Sequence, residues 1–299
     1  MVGSSPFAKS KGVRKDFWIA MIFIAPWIIG TLWFTVGPII YSFYYSLTEY
    51  KIFSAPEFIG FRNYKNLFED ALFWRSLQNT LFMVAVGVPL TLITALVISL
   101  LLNSKQLRNF SFFRVAYFLP TLVPLIINCI LWVWLLNYDN GMINALLRLI
   151  GIQGPSWLGD PGWSKPGLIL MTVWGCGNVI IIFLAGLQDI PESLYESADI
   201  EGANFVQKSL HITIPMLSPV ILYNAVTLVI AAFQQFAEPF TMTEGGPNRS
   251  TLLYSLYLYQ NAFQFMKMGY ASAMAWILLV IALAVIFLLF KGQKKLGND

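Results

Sequence analysis

Charge is scarce in this 299-residue chain. Lys and Arg number 19 and Asp and Glu 15, together 11% of the residues, against about 25% in soluble domains. So few charges exclude an ordinary water-exposed globule. Histidine occurs once, at His211, with no ligand-type neighbour at metal spacing. That excludes a histidine metal centre and leaves no credible Ser/His/Asp or Cys/His set. The two cysteines, Cys129 and Cys176, both fall inside apolar runs and offer neither a disulfide framework nor a metal site. No G-x-x-x-x-G-K-[ST] phosphate loop is present, so the chain does not hydrolyse ATP by that chemistry. Paired carboxylates occur only in loops. The net charge of +4 comes without a basic face interleaved with aromatics, which excludes a nucleic-acid partner.

What fills the chain is hydrocarbon: 57% hydrophobic and 16% aromatic residues, with a mean hydropathy of +0.66. Six apolar runs are legible, at about 17–36, 80–102, 115–136, 167–187, 216–236 and 271–290. Each is close to the roughly 20 residues that cross a bilayer core as a helix, and none carries Lys, Arg, Asp or Glu in its middle. The first run is too long for a signal peptide and no clean small-x-small site follows it, so it reads as a retained span. The expected fold is an all-α polytopic membrane protein with six transmembrane helices. Residues 1–16 and 291–299 form tails, and 17–290 form the membrane domain.

Orientation follows from the short loops. If both ends share one side, that side holds eleven basic residues, Lys208 and three clusters: Lys9, Lys11, Arg14 and Lys15; Lys105, Arg108 and Arg114; and Lys291, Lys294 and Lys295. The other side holds eight, spread over longer loops. By the positive-inside rule the ends are cytoplasmic, and so is the connection at 188–215 between the fourth and fifth runs.

That connection is acidic. Asp189, Glu192, Glu196, Asp199 and Glu201 face Lys208 alone, where a loop lying on an anionic membrane surface would favour basic residues. Ile190, Leu194 and Ala198 recur at helical spacing, as do Val206 and Leu210. A helix with an apolar stripe and an acidic flank suits docking into a basic-rimmed groove of another protein. A solvated connector is the plainer alternative.

The stretch "ESADIEG", nine residues, then "ITIP" resembles the EAA motif of bacterial ABC importer permeases. Glu196, Ala198, Gly202, Ile212 and Pro215 fall in register, and Ser197 and Ile214 replace an alanine and a leucine of the pattern. The stretches "FIGFRNYKNLF", "RVAYFLPTLVP", "GLQDIPESLYESA" and "TEGGPNRST" are similar to the carbohydrate-type branch in particular. The resemblance spans about residues 17 to 290. It implies that 188–215 is a coupling loop, with Glu196, Ser197, Ala198, Asp199, Gly202, Ile212 and Pro215 carrying the contact to an ATPase. It also implies a second homologous permease, two ATP-binding subunits that hold ATP and Mg, an extracytoplasmic sugar-binding protein, and a bacterial cell membrane. The chain itself needs no cofactor or metal. An ion-gradient-driven secondary transporter is the alternative class. Such proteins usually carry intramembrane charges and paired interrupted helices, and neither is visible in the sequence.

A carbohydrate pathway needs uncharged polar groups for hydroxyls and aromatic faces for C–H surfaces. Gln234 and Gln235 near the end of the fifth run, Trp174 and Asn178 in the fourth, and Thr121 after Pro120 in the third are the candidates. Trp174 and Asn178, four residues apart, would share a helix face. For Asn128 and Asn224 the expectation is hydrogen bonding between helices.

Overall fold

The computed structural model describes residues 6–103 and 110–296, with side chains at 16–103, 112–113 and 115–293. Lys105 and Arg108 lie outside the described residues. Lys9, Lys11, Arg14, Lys15, Arg114, Lys294 and Lys295 lie outside the described side chains.

The chain opens with α1 (Pro6–Thr31) and α2 (Gly37–Ser46), joined by a π turn at Leu32–Val36 into one apolar rod. Gly37-Pro38 therefore does not end the first run as the sequence suggests. A proline inside a helix lacks an N–H and its ring crowds the carbonyl one turn back. The wider turn accommodates Pro38, with Gly37 N–H reaching Leu32 O. The same device recurs between α4 (Ala71–Phe82) and α5 (Val88–Leu102), where the π turn Met83–Gly87 precedes Pro89. The second rod starts at Ala71, nine residues before the apolar run, because Asp70 caps it by accepting from Leu72 N–H at 2.8 Å.

Between the first two rods a two-residue antiparallel pair, β1 (Thr48–Glu49) and β2 (Glu57–Phe58), departs from a purely helical fold. It is followed by α3 (Arg62–Glu69). Asn63 pins this outer elbow, donating to the carbonyls of Ser46 at 2.9 Å and Thr48 at 2.8 Å.

The third, fourth and fifth runs are broken. The segments α6 (Phe110–Phe118) and α7 (Leu125–Leu135) meet at 108° through a 3-10 turn at Leu119–Leu122. Val123, held extended ahead of Pro124, completes the corner. After α8 (Met142–Leu149), α9 (Ser164–Trp174) and α10 (Gly177–Gln188) bend by 46° at Gly175 and Cys176. Next come α11 (Glu192–Ile200), α12 (Phe205–Lys208), a π turn at Ser209–Thr213, α13 (Ile214–Met216) and α14 (Ser218–Phe233). A 69° break separates the last two, with Pro219 in the first turn of α14. The chain closes with α15 (Ala237–Met242), α16 (Tyr254–Tyr259) and the apolar rod α17 (Met268–Leu296). Three helices are thus long and apolar enough to cross a membrane, and three bent pairs pass the same test when each is taken together.

The bundle core is built from several apolar clusters. Ala95 and Leu102 of α5 meet Ile180, Phe183, Leu184 and Leu187 of α10 and Leu217, while Val229 and Phe233 of α14 pack on Val88. The first rod is different: Phe23, Trp27 and Trp33 are more than 70% exposed, as suits lipid or a membrane partner.

The stretch "TEGGPNRST" is no free loop. Ser250 and Thr251 are buried, and Asn79 donates to the carbonyls of Arg249 at 2.9 Å and Leu252 at 3.1 Å. Glu244, Asn248 and Arg249, all three in left-handed backbone, are its exposed residues. Nearby, Asp70 accepts from the hydroxyls of Tyr257 at 2.5 Å and Tyr270 at 2.6 Å, tying the start of α4 to α16 and α17. Burial opposes its charge, but the two hydroxyls and the amides of Leu72 and Phe73 outweigh it and hold the carboxyl below the usual carboxylate range. A native pKa below the unfolded value stabilises the fold above about pH 4, and that contribution fades as pH falls through the native value. Asp70→Ala should cost roughly 1–3 kcal/mol at pH 7. Thermal unfolding in detergent should show the wild type losing stability below about pH 4 more steeply than Asp70→Asn. Equal slopes would remove this role.

Candidate functional site

The acidic connection folds as an outward elbow rooted in the bundle. Its root is apolar: Ile190 is buried with Leu187, Phe183 and Leu217, and Tyr195 and Ile212 pack against that group. Tyr195 Oη meets Thr213 Oγ1 at 2.9 Å, clamping α11 to the turn before α13. Pro215 opens α13, where a missing N–H costs nothing.

The bend of the elbow is set by Gly202. Its φ of +77° is the left-handed region that a side chain resists. Gly202 N–H reaches Asp199 O at 3.1 Å and Ala203 N–H reaches Ala198 O at 2.9 Å, closing the end of α11. A Cβ on Gly202 would meet nothing within 4 Å, so glycine answers to the backbone there and not to crowding inside the chain. Asn204 and Gln207 then form a reciprocal cap for α12, at 2.9 and 2.8 Å.

Glu196, Ser197 and Asp199 are exposed on α11, with Ala198 half-buried. Ser197 Oγ donates to Ser193 O at 3.0 Å, and Asp199 pairs with Lys208 across the bend. Asp199 thus has a partner within the chain, and Glu196 stands as the outward carboxylate. The apolar stripe differs from the spacing-based expectation, since Ile190 belongs to the root. The exposed apolar surface is Leu194, Ile200, Phe205, Val206 and Leu210, with Ile200 89% exposed. Ile200 and Phe205 escaped the periodicity because they flank the Gly202 turn, where helical spacing resets.

The five pathway candidates do not converge on one cavity. Trp174 lines a cavity of about 480 Å³ with Thr94, Tyr117, Pro120, Trp132 and Cys176, and its ring meets Trp132 edge-on at 5.7 Å. Asn178 is exposed, but the helix breaks at Gly175 and Cys176, so the two residues do not share the face that an unbroken helix would give them. Thr121 is turned to Phe118 O at 2.7 Å and lies against Gly177. Gln234 ends α14 and is exposed, whereas Gln235 is buried.

Gln235 belongs to a second, smaller cavity of about 70 Å³, together with Thr91, Thr172 and Glu238. Glu238 is an ionisable group that the apolar runs did not reveal. It follows the fifth run, but α15 folds back against α7 and carries it inside the bundle. Asn128 Oδ1, Trp132 Nε1 and both polar atoms of Asn224 are buried without a hydrogen-bond partner. Helix-to-helix bonding expected for these two amides is therefore not made by Asn224 or by the Asn128 oxygen.

Where α6 and its 3-10 turn cross α10, the contact depends on Gly177. A Cβ there would stand 2.3 Å from Tyr117 O and 2.9 Å from Thr121 Cγ2. Gly177→Ala should push the two segments apart and lower thermal stability by about 1–3 kcal/mol. Gly175→Ala, whose Cβ would meet only carbonyls at 3.6 Å, is the matched control. Equal unfolding midpoints for the two variants would contradict the crossing.

Comparison with known proteins gives a consistent picture. The profile of the family described as "Binding-protein-dependent transport system inner membrane component" matches residues 87–295. A protein of Bacillus subtilis strain 168, described as a probable ABC transporter permease, is 43% identical over 294 residues, 97% of this chain and 94% of that one. The lactose transport system permease of Rhizobium radiobacter is 37% identical over 280 residues, 92% of this chain and 93% of its own. A chain in the crystal structure of a bacterial alginate ABC transporter, in complex with an alginate pentasaccharide-bound periplasmic protein, matches with a TM-score of 0.81. It is 25% identical, and the match covers 97% of this chain and 98% of that one.

Proposed function

Because the chain belongs to the family of binding-protein-dependent transport system inner membrane components, we propose that it is the permease subunit of an ATP-driven importer for an oligosaccharide. It is a membrane transporter component and not an enzyme, and ATP hydrolysis belongs to separate ATPase subunits. The single observation that carries the reading is the register of the EAA-type stretch on an exposed elbow, in a chain matched along nearly its whole length by a sugar permease.

In this reading the three rods, the bent pairs α6–α7 and α9–α10, and α14 make six spans with both ends in the cytoplasm, supported by the distribution of Lys and Arg. The elbow docks on an ATPase subunit: Glu196 offers a carboxylate to a basic group, and Ile200, Phe205, Val206 and Leu210 supply the apolar contact. Gly202 fixes the angle between the two short helices. Ile212 and Pro215 transmit movement of the elbow to α14, since both sit on the rigid connection into it. A second permease covers the exposed first rod, and a sugar-loaded extracytoplasmic protein delivers the substrate, as the alginate complex does for its own chain. Trp174, Asn178, Thr121, Gln234 and Gln235 line parts of the route.

Uptake of a labelled oligosaccharide by cells carrying the complete transporter should need the ATPase subunit and survive a protonophore. Uptake by this chain alone that tracks a proton or sodium gradient would overturn the reading. Glu196→Lys and Gly202→Val should each lower uptake at least about tenfold or abolish ATPase co-purification, because a like charge in a paired interface costs several kcal/mol. Normal values in both would refute the coupling role. A cysteine replacing Asn248 should react with an impermeant maleimide from the outside only, and labelling from the cytoplasmic side alone would reverse the topology.

A further inference from the structure

Three features place Glu238 where a translocated molecule would meet it. It lines the same small cavity as Gln235, Thr91 and Thr172, bringing together α5, α9, α14 and α15. The Gln235 side chain lies beside its carboxylate. α15 also packs against α7, which adds a fifth helix to those around Glu238. No Lys or Arg lines this cavity, and among the described residues no ion pair involves Glu238. Ionisable groups at such depth are costly and are retained for what they contact.

The cavity is small, well below the roughly 300 Å³ of ligand pockets. The roomier aromatic cavity borders the same two helices, α5 and α9, without sharing a lining residue. Thr94 and Thr91 lie one turn apart on α5, and Trp174 and Thr172 are both on α9. A route opening between α5 and α9 would connect the Trp132–Trp174 cavity to Gln235 and Glu238.

We infer that Glu238 is the charge filter of the pathway, admitting neutral oligosaccharides and rejecting acidic, uronate-type ones. This deepens the carbohydrate reading of the same site and rests on it. A neutral sugar offers only hydroxyls, which donate charge-assisted hydrogen bonds to a carboxylate. A uronate brings a second carboxylate with no cation lining the cavity to screen it. At about 5 Å and an effective dielectric near 20, their repulsion corresponds to on the order of a hundredfold in occupancy.

The test compares arabinotriose and triguluronate, matched in length, as ligands of the purified complete transporter in nanodiscs. Affinities are read from the concentration dependence of the thermal unfolding midpoint. The wild type should bind arabinotriose and discriminate against triguluronate. Glu238→Gln, which keeps shape and hydrogen bonding, should raise the acidic-to-neutral affinity ratio at least about tenfold, and Glu238→Asp should keep the wild-type ratio. An unchanged ratio in Glu238→Gln, or equal binding of both sugars by the wild type, overturns the filter. No binding of either sugar by the wild type also overturns it. Uptake of arabinotriose by that same wild-type transporter in proteoliposomes, with its binding protein and ATP, then shows whether the carbohydrate reading survives.

Discussion

In hydrocarbon a backbone N–H or C=O has no water to turn to, so every departure from regular helix must be closed within the protein. That constraint shapes this fold more than any single contact. Prolines stand at two of the three sharp bends, the third falling at Gly175 and Cys176, and the chain answers its prolines in two ways. Before Pro38 and Pro89 in two straight rods, and before Pro215 at the root of the elbow, the helix widens into a π turn and continues. Where the chain must turn, at Pro120 with Pro124 and at Pro219, it breaks by 108° and 69°.

Polar side chains follow the same logic on a smaller scale. Asn79 satisfies two carbonyls of the 243–251 loop, Lys165 donates to the Asn79 oxygen at 3.1 Å, and Ser164 meets Ser250 at 2.7 Å. These bonds turn a glycine-rich loop into part of the packed outer end. Asn224, Asn128 and Trp132 are the contrast. Their buried unpaired atoms each forgo roughly 1–3 kcal/mol, and they lie on α14 and α7, two of the helices that end in sharp bends.

The elbow at 188–215 obeys the opposite rule. It projects from the bundle, so its helices are held by caps, a left-handed glycine and a Tyr195–Thr213 clamp in place of an apolar face. Freed from burial, its apolar residues are left for a partner. A stiff elbow with a buried root and an exposed tip can pass a displacement into α14, which a flexible loop could not do.

The sequence alone determined the membrane setting, the six apolar runs and the acidic elbow. Each rests on local composition, and local composition decides whether a helix is more stable in lipid or water. It also located Glu196, Gly202 and Pro215, whose spacing is short enough to read along the chain. Only the tertiary structure decided what the runs become. The first two pass their prolines through π turns, the last runs unbroken, and the other three bend, one of them at Gly175 and Cys176 with no proline nearby. Trp174 and Asn178 lost their shared face to a break at Gly175 and Cys176. Ile190 turned out to be an anchor, and Asp199 found Lys208 nine residues on across a turn. Glu238 stayed hidden for the same reason: it stands beyond the end of an apolar run in sequence, and α15, folding back, carries it inside.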